Sequence, residues 1–105
     1  MEKEEVAMVG FEIIAYVGDS RSKLLNALDE CNKGNFEKAE ELIGLAQDYI
    51  TEAHRSQTEM LQAEARGEDA ELGFIMVHAQ DHLMTTILLR DIMKHMVTLY
   101  KRSDT

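Results

Sequence analysis

Between Val77 and Met84 the chain reads Val77-His78-Ala79-Gln80-Asp81-His82-Leu83-Met84, four polar side chains with chemical capability inside an otherwise apolar run. A helix turns about 100° per residue, so Asp81 and His82 fall on either side of His78 one turn further on, and one face offers two imidazoles and a carboxylate. The i, i+4 spacing of His78 and His82 suits a zinc site or a phosphoryl relay. Zinc needs more ligands than this: the lone Cys31 is remote, and no second pair of histidines repeats the spacing. Phosphoryl transfer asks for less, namely an imidazole nitrogen held in line and donors for the transferred oxygens, since most of the catalysis is positioning. Histidine, with an ordinary pKa of about 6.5, is largely neutral and nucleophilic near pH 7. Gln80, His82, Thr85 and Thr86 are the candidate donors. No Arg or Lys lies within a turn of His78, so a cation to offset the phosphoryl charge must come from a neighbouring subunit or an incoming partner. The competing reading is a bland polar boundary patch, the same reading that fits His54 and His95, which lack polar companions.

The elements that must position these groups are helices. The 105 residues contain no proline and six glycines, and good helix formers dominate, which favours an all-α chain of one domain, 1–105. Apolar residues recur at helical spacing in three stretches, predicting helices over about 4–32, 35–66 and 70–101. Gly18 interrupts the first without ending it and offers a place for a kink or local break. Lys33-Gly34-Asn35 reads as a stop followed by a fresh cap, with Asn35 and Lys38 forming half of a capping box, and Gly67-Glu68-Asp69 closes the second helix. Residues Lys101 to Thr105 read as a frayed tail. Short connections make the architecture an antiparallel up-down-up three-helix bundle.

Eleven basic against twenty acidic residues give a formal charge of -9, which disfavours nucleic acid and anionic lipid as partners. No apolar run approaches the roughly 20 residues of a membrane span, and the acidic start does not resemble a signal peptide, so a cytoplasmic protein without membrane insertion is expected. Cys31, among Leu28, Asn32 and Phe36, reads as a packing residue.

The third helix carries more apolar surface than such a bundle needs. One stripe, Leu72, Met76, Ala79, Leu83, Ile87 and Val97, suffices to pack on the other helices. A second, Phe74, Val77, Met84, Leu88, Ile92 and Leu99, has nothing in one chain to cover it, which predicts self-association through this helix about a closed symmetry axis. Asp81 falls within the second stripe. Either it faces solvent at the stripe's edge, or copies of it cluster on the axis, where carboxylates share protons or bind a divalent cation of the Mg²⁺ type.

The run Met76-Val77-His78-Ala79-Gln80-Asp81-His82-Leu83-Met84-Thr85-Thr86-Ile87-Leu88-Leu89 resembles the active-site helix of the lactose/cellobiose-type enzyme IIA family of the bacterial phosphoenolpyruvate-dependent sugar phosphotransferase system. Gly10 to Lys23, Glu52 to Thr58 and Leu99 to Arg102 are similar to that family too. The resemblance implies a homotrimer of three-helix protomers. In it, His78 accepts a phosphoryl group from the histidine-containing phosphocarrier protein and passes it to a cysteine of enzyme IIB. It further implies that Asp81 clusters on the trimer axis with a divalent metal, and that Gln80 and His82 support the phosphoryl group. The sugar would be lactose or a related β-glycoside. A helical metal-binding or interaction module on the same scaffold, without phosphotransfer, is the alternative.

Overall fold

The computed structural model describes residues 1–104 and contains three α-helices of equal length: α1 (Lys3–Asn32), α2 (Phe36–Ala65) and α3 (Phe74–Ser103). They pack pairwise along their lengths into a rod of 55 × 20 × 17 Å, consistent with thirty residues rising about 1.5 Å each. No strand occurs among the described residues.

Both turns are built on a glycine with positive φ. After α1, Gly34 (φ +82°) lets its own N–H donate to the Cys31 carbonyl at 3.0 Å and the Asn35 N–H to the Glu30 carbonyl at 2.9 Å. After α2, Gly67 (φ +83°) repeats the arrangement, with Gly67 N–H donating to Glu64 and Glu68 N–H to Ala63. This paired closure satisfies the last carbonyls of each helix, and a residue without a Cβ adopts it without strain. Asn35 does not cap α2 through its side chain; its amide donates to Glu30 Oε2 at 2.8 Å instead.

α3 begins at Phe74, four residues after the start expected from periodicity. Residues 69–73 run alongside the amino terminus: the Met1 ammonium donates to the Asp69 carbonyl at 2.6 Å and the Glu71 N–H donates to the Met1 carbonyl at 3.3 Å. Backbone groups engaged there do not extend a helix, and Leu72, expected in the core stripe, is left 67% exposed. At the other end α3 continues through Lys101, Arg102 and Ser103, so the expected fraying does not occur there; Thr105 lies outside the described residues. The two cations in the last turn suit the negative end of the helix.

The core has two apolar centres. One gathers Val6, Ile13, Val17, Ala53, Met76, Ala79 and Leu83; the other gathers Leu24, Ala27, Cys31, Ala39, Ala46, Met93 and Val97. Buried Ser20 donates to the Ala46 carbonyl at 2.9 Å, joining α1 to α2. α1 runs unbroken past Gly18. At Gly10 α1 approaches α3 closely: a Cβ there would stand 3.0 Å from Ile75 Cγ2 and 3.3 Å from Met76 Cα. The start of the helix that carries the histidines is thereby held against α1.

Candidate functional site

His78 is exposed on α3, and the half-buried His82 stands one turn beyond it. Their ring centroids are 4.2 Å apart with planes inclined at 73°, an edge-to-face pair. His78 thus stands exposed on the helix with its ring packed edge to face against that of His82. Thr85, on the same side, donates to the Asp81 and His82 carbonyls at 2.9 and 3.2 Å.

The other groups singled out by spacing lie elsewhere on the helix. Taking Asp81 as origin, 100° per residue puts His78 and His82 at about 60° and 100° on one side, and Gln80 at about 100° on the other. Within one chain, therefore, His78 and His82 come together and Gln80 does not join them. Gln80 turns toward α2, where the Gln57 amide donates to its Oε1, while its own Nε2 donates to Met76 Sδ at 3.5 Å. Thr86 points into the core at 1% exposure and its hydroxyl has no hydrogen-bond partner, so it is not a donor to anything bound at His78. Arg90, three turns on, is committed to Asp91 Oδ1 (2.9 Å) and Gln47 Oε1 (2.8 Å), leaving no cation of its own helix beside the histidines.

The surplus stripe is exposed as its spacing requires. Phe74 is 92% exposed, and Val77, Met84, Leu88, Ile92 and Leu99 all lie between 45% and 59%. Asp81 is exposed in the middle of it, its carboxylate without a hydrogen-bond or ion-pair partner among the described residues. From Phe74 through Val77, Asp81 and Met84 to Leu88 the steps alternate three and four, the pattern of a seam between helices. α1 carries a second such run that periodicity alone did not single out: Met8, Phe11, Ala15, Gly18, Ser22 and Leu25 are all exposed. No group of three or more His, Cys, Asp or Glu able to hold a metal ion exists among the described residues of one chain. A cation at Asp81 therefore requires carboxylates from several copies, which would supply the oxygen donors hard divalent cations prefer.

Beside Gln80 a cleft of about 430 Å³ opens between the end of α2 and the start of α3, lined by Met60, Leu61, Leu72 and Met76, by the amides of Gln57 and Gln80, and by the acidic Glu64, Glu68 and Asp69. No helix of the described residues is long and apolar enough to cross a membrane. Cys31 is buried; burial pushes its thiol pKa up, Glu40 adds to the effect and Lys101 opposes it. This is the profile of a packing residue rather than a nucleophile.

This architecture recurs in known proteins. Residues 8–101 match the family model for the lactose/cellobiose-specific IIA subunit of the phosphotransferase system. The chain is 55% identical over 104 residues to the lactose-specific EIIA component of the phosphotransferase system from Streptococcus mutans serotype c, covering 99% of this chain and all of that one. Among solved structures, that of PtcA from S. mutans superposes with a TM-score of 0.94 at 42% identity, covering 96% of this chain and 99% of that one. The IIA(Chitobiose)–HPr complex of the N,N′-diacetylchitobiose branch of the Escherichia coli phosphotransferase system shares the fold with a TM-score of 0.80 at 27% identity, over 95% of this chain and 97% of that one. With the fold and nearly the entire length matched at this level, the chain belongs to the lactose/cellobiose-specific IIA subunits of the phosphotransferase system, phosphotransferase components with a phosphocarrier role in sugar transport.

Proposed function

We propose that His78 is the phosphoryl carrier: it accepts the group from the histidine-containing phosphocarrier protein and gives it to a cysteine of enzyme IIB during uptake of lactose or a related β-glycoside, in the cytoplasm. The observation that carries this reading is the exposed His78 imidazole paired edge to face with His82 at 4.2 Å. The uncharged His78 nitrogen attacks phosphorus in line as the donor's N–P bond breaks. In the second step the thiolate of enzyme IIB attacks phosphorus, the His78 N–P bond breaks, and the imidazole is restored. No proton or cofactor is consumed. A complex of a IIA relative with HPr supports that partner for this chain. The lactose-specific relatives support the sugar class.

The working unit is a homotrimer joined through α3. The exposed heptad-like stripe supports it, and the positions of His78 and Gln80 on opposite flanks of that stripe give it a consequence. Around a three-fold axis, the histidine flank of each protomer faces the Gln80 flank of the next, so Gln80 and His82 reach one phosphoryl group from two chains. Three Asp81 carboxylates meet on the axis and hold a divalent cation, Mg²⁺ by the hardness of the donors; its contribution is to offset their mutual repulsion.

The test is to incubate the protein with phosphoenolpyruvate, enzyme I and the phosphocarrier. An acid-labile, base-stable adduct is expected on the wild type and none on His78→Ala. Equal labelling of His78→Ala sinks the assignment. A trimeric wild type that takes phosphate from no donor makes the protein an interaction or metal-binding module instead.

A further inference from the structure

We infer that Gln57 of α2 is a positioning residue for phosphoryl transfer, acting by fixing which end of the Gln80 amide meets the phosphoryl group. This deepens the proposed function and rests on it. A side-chain amide has an accepting oxygen and a donating nitrogen at nearly the same reach. Toward an anion the two ends have opposite effects, since Nε2 bonds it and Oε1 repels it. A freely rotating Gln80 would offer both.

The hydrogen bonds around Gln80 remove that ambiguity. Gln57 Nε2 donates to Gln80 Oε1, so the accepting end is occupied by a residue 23 positions away on another helix. Gln80 Nε2 is left with Met76 Sδ at 3.5 Å, a weak acceptor that is readily exchanged for a phosphoryl oxygen. Both glutamines are half-buried, which limits their rotation. Both also line the cleft of about 430 Å³ at the surface between α2 and α3.

Changing the sense of the Gln57 contact changes what Gln80 presents. In Gln57→Glu the new carboxylate only accepts, captures Gln80 Nε2 and turns Oε1 outward. In Gln57→Met the amide is released at similar volume. The rate of phosphoryl transfer from the phosphocarrier to His78 should fall about tenfold to a hundredfold in Gln57→Glu, the range of one hydrogen bond to a charged group, and by less in Gln57→Met. Added charge alone would also slow the reaction, so the same substitutions are made on a Gln80→Leu background. If Gln57 acts through Gln80, Gln57→Glu produces no further loss there. A full loss on that background, or an unchanged rate in Gln57→Glu on the wild-type background, overturns the inference. The ¹⁵N-resolved side-chain amide resonances of Gln80 should shift in Gln57→Met while the thermal midpoint changes little; no shift is equally fatal. Failure of the wild type to label His78 would instead bring down the proposed function, an outcome distinct from labelling that is indifferent to Gln57.

Discussion

Replacing Asp81 by leucine should strengthen the trimer and free it from divalent cations. Asp81 lies amid Val77 (56% exposed), Met84 (46%) and Leu88 (59%), so the substitution makes the stripe continuously apolar. Moving a leucine side chain wholly out of water is worth about 1.5–3 kcal/mol. Those neighbours already cover part of that surface in the monomer, which leaves about 1–2 kcal/mol per copy on association. Three copies give about 3–6 kcal/mol, and at about 1.4 kcal/mol per tenfold the trimer association constant rises roughly 10²–10⁴-fold. Removal of three crowded carboxylates acts in the same direction. Sedimentation equilibrium over a concentration series, with Mg²⁺ and with chelator, reads both effects. The wild-type trimer should loosen when metal is removed, and Asp81→Leu should not. A monomeric Asp81→Leu at concentrations where the wild type is trimeric would refute the placement of Asp81 on the axis, and a wild type monomeric throughout would refute the role of the stripe itself.

Two further outcomes follow from the core. Thr86→Val substitutes a methyl for a buried hydroxyl that has no partner, so unfolding in urea should show unchanged or higher stability, and the rate of phosphoryl transfer should not move. Cys31 keeps its proton more tightly folded than unfolded, because burial and Glu40 raise its pKa; its contribution is therefore intact below the unfolded thiol value of about 8.5 and declines as pH rises through and above it. Urea midpoints at pH 7 and pH 9.5 should diverge more for the wild type than for Cys31→Ala, and thiol-specific labelling should be slow until the protein unfolds.

Much of this molecule was legible in one dimension because helical periodicity is local. The buried positions Val6, Ile13, Val17 and Leu24 on α1, and Met76, Ala79, Leu83 and Val97 on α3, stand at the spacing that identified them. The same periodicity separated an exposed stripe from a buried one on a single helix. Where the reading failed, a contact distant in sequence took over. Leu72 continues the apolar period, yet the pairing of residues 69–73 with Met1 holds it out of the helix. Asn35 has the chemistry of a cap, yet Glu30 offers its amide a charged acceptor. Thr86 is adjacent to Thr85 and equally plausible as a donor on paper, but 100° of rotation carries it into the core.

The sequence by itself determined the helical class, the His78–His82 pair, the carboxylate within an apolar seam and the family, because each depends on residue types at fixed short spacing. Only the tertiary structure decided that Gln80 belongs to the α2 side, that Gln57 occupies its carbonyl, and that a cleft opens beside them. Those facts depend on how three rods dock, through contacts such as Gly10 against Ile75 and Met76, and the docking of residues far apart in sequence leaves no local period to read.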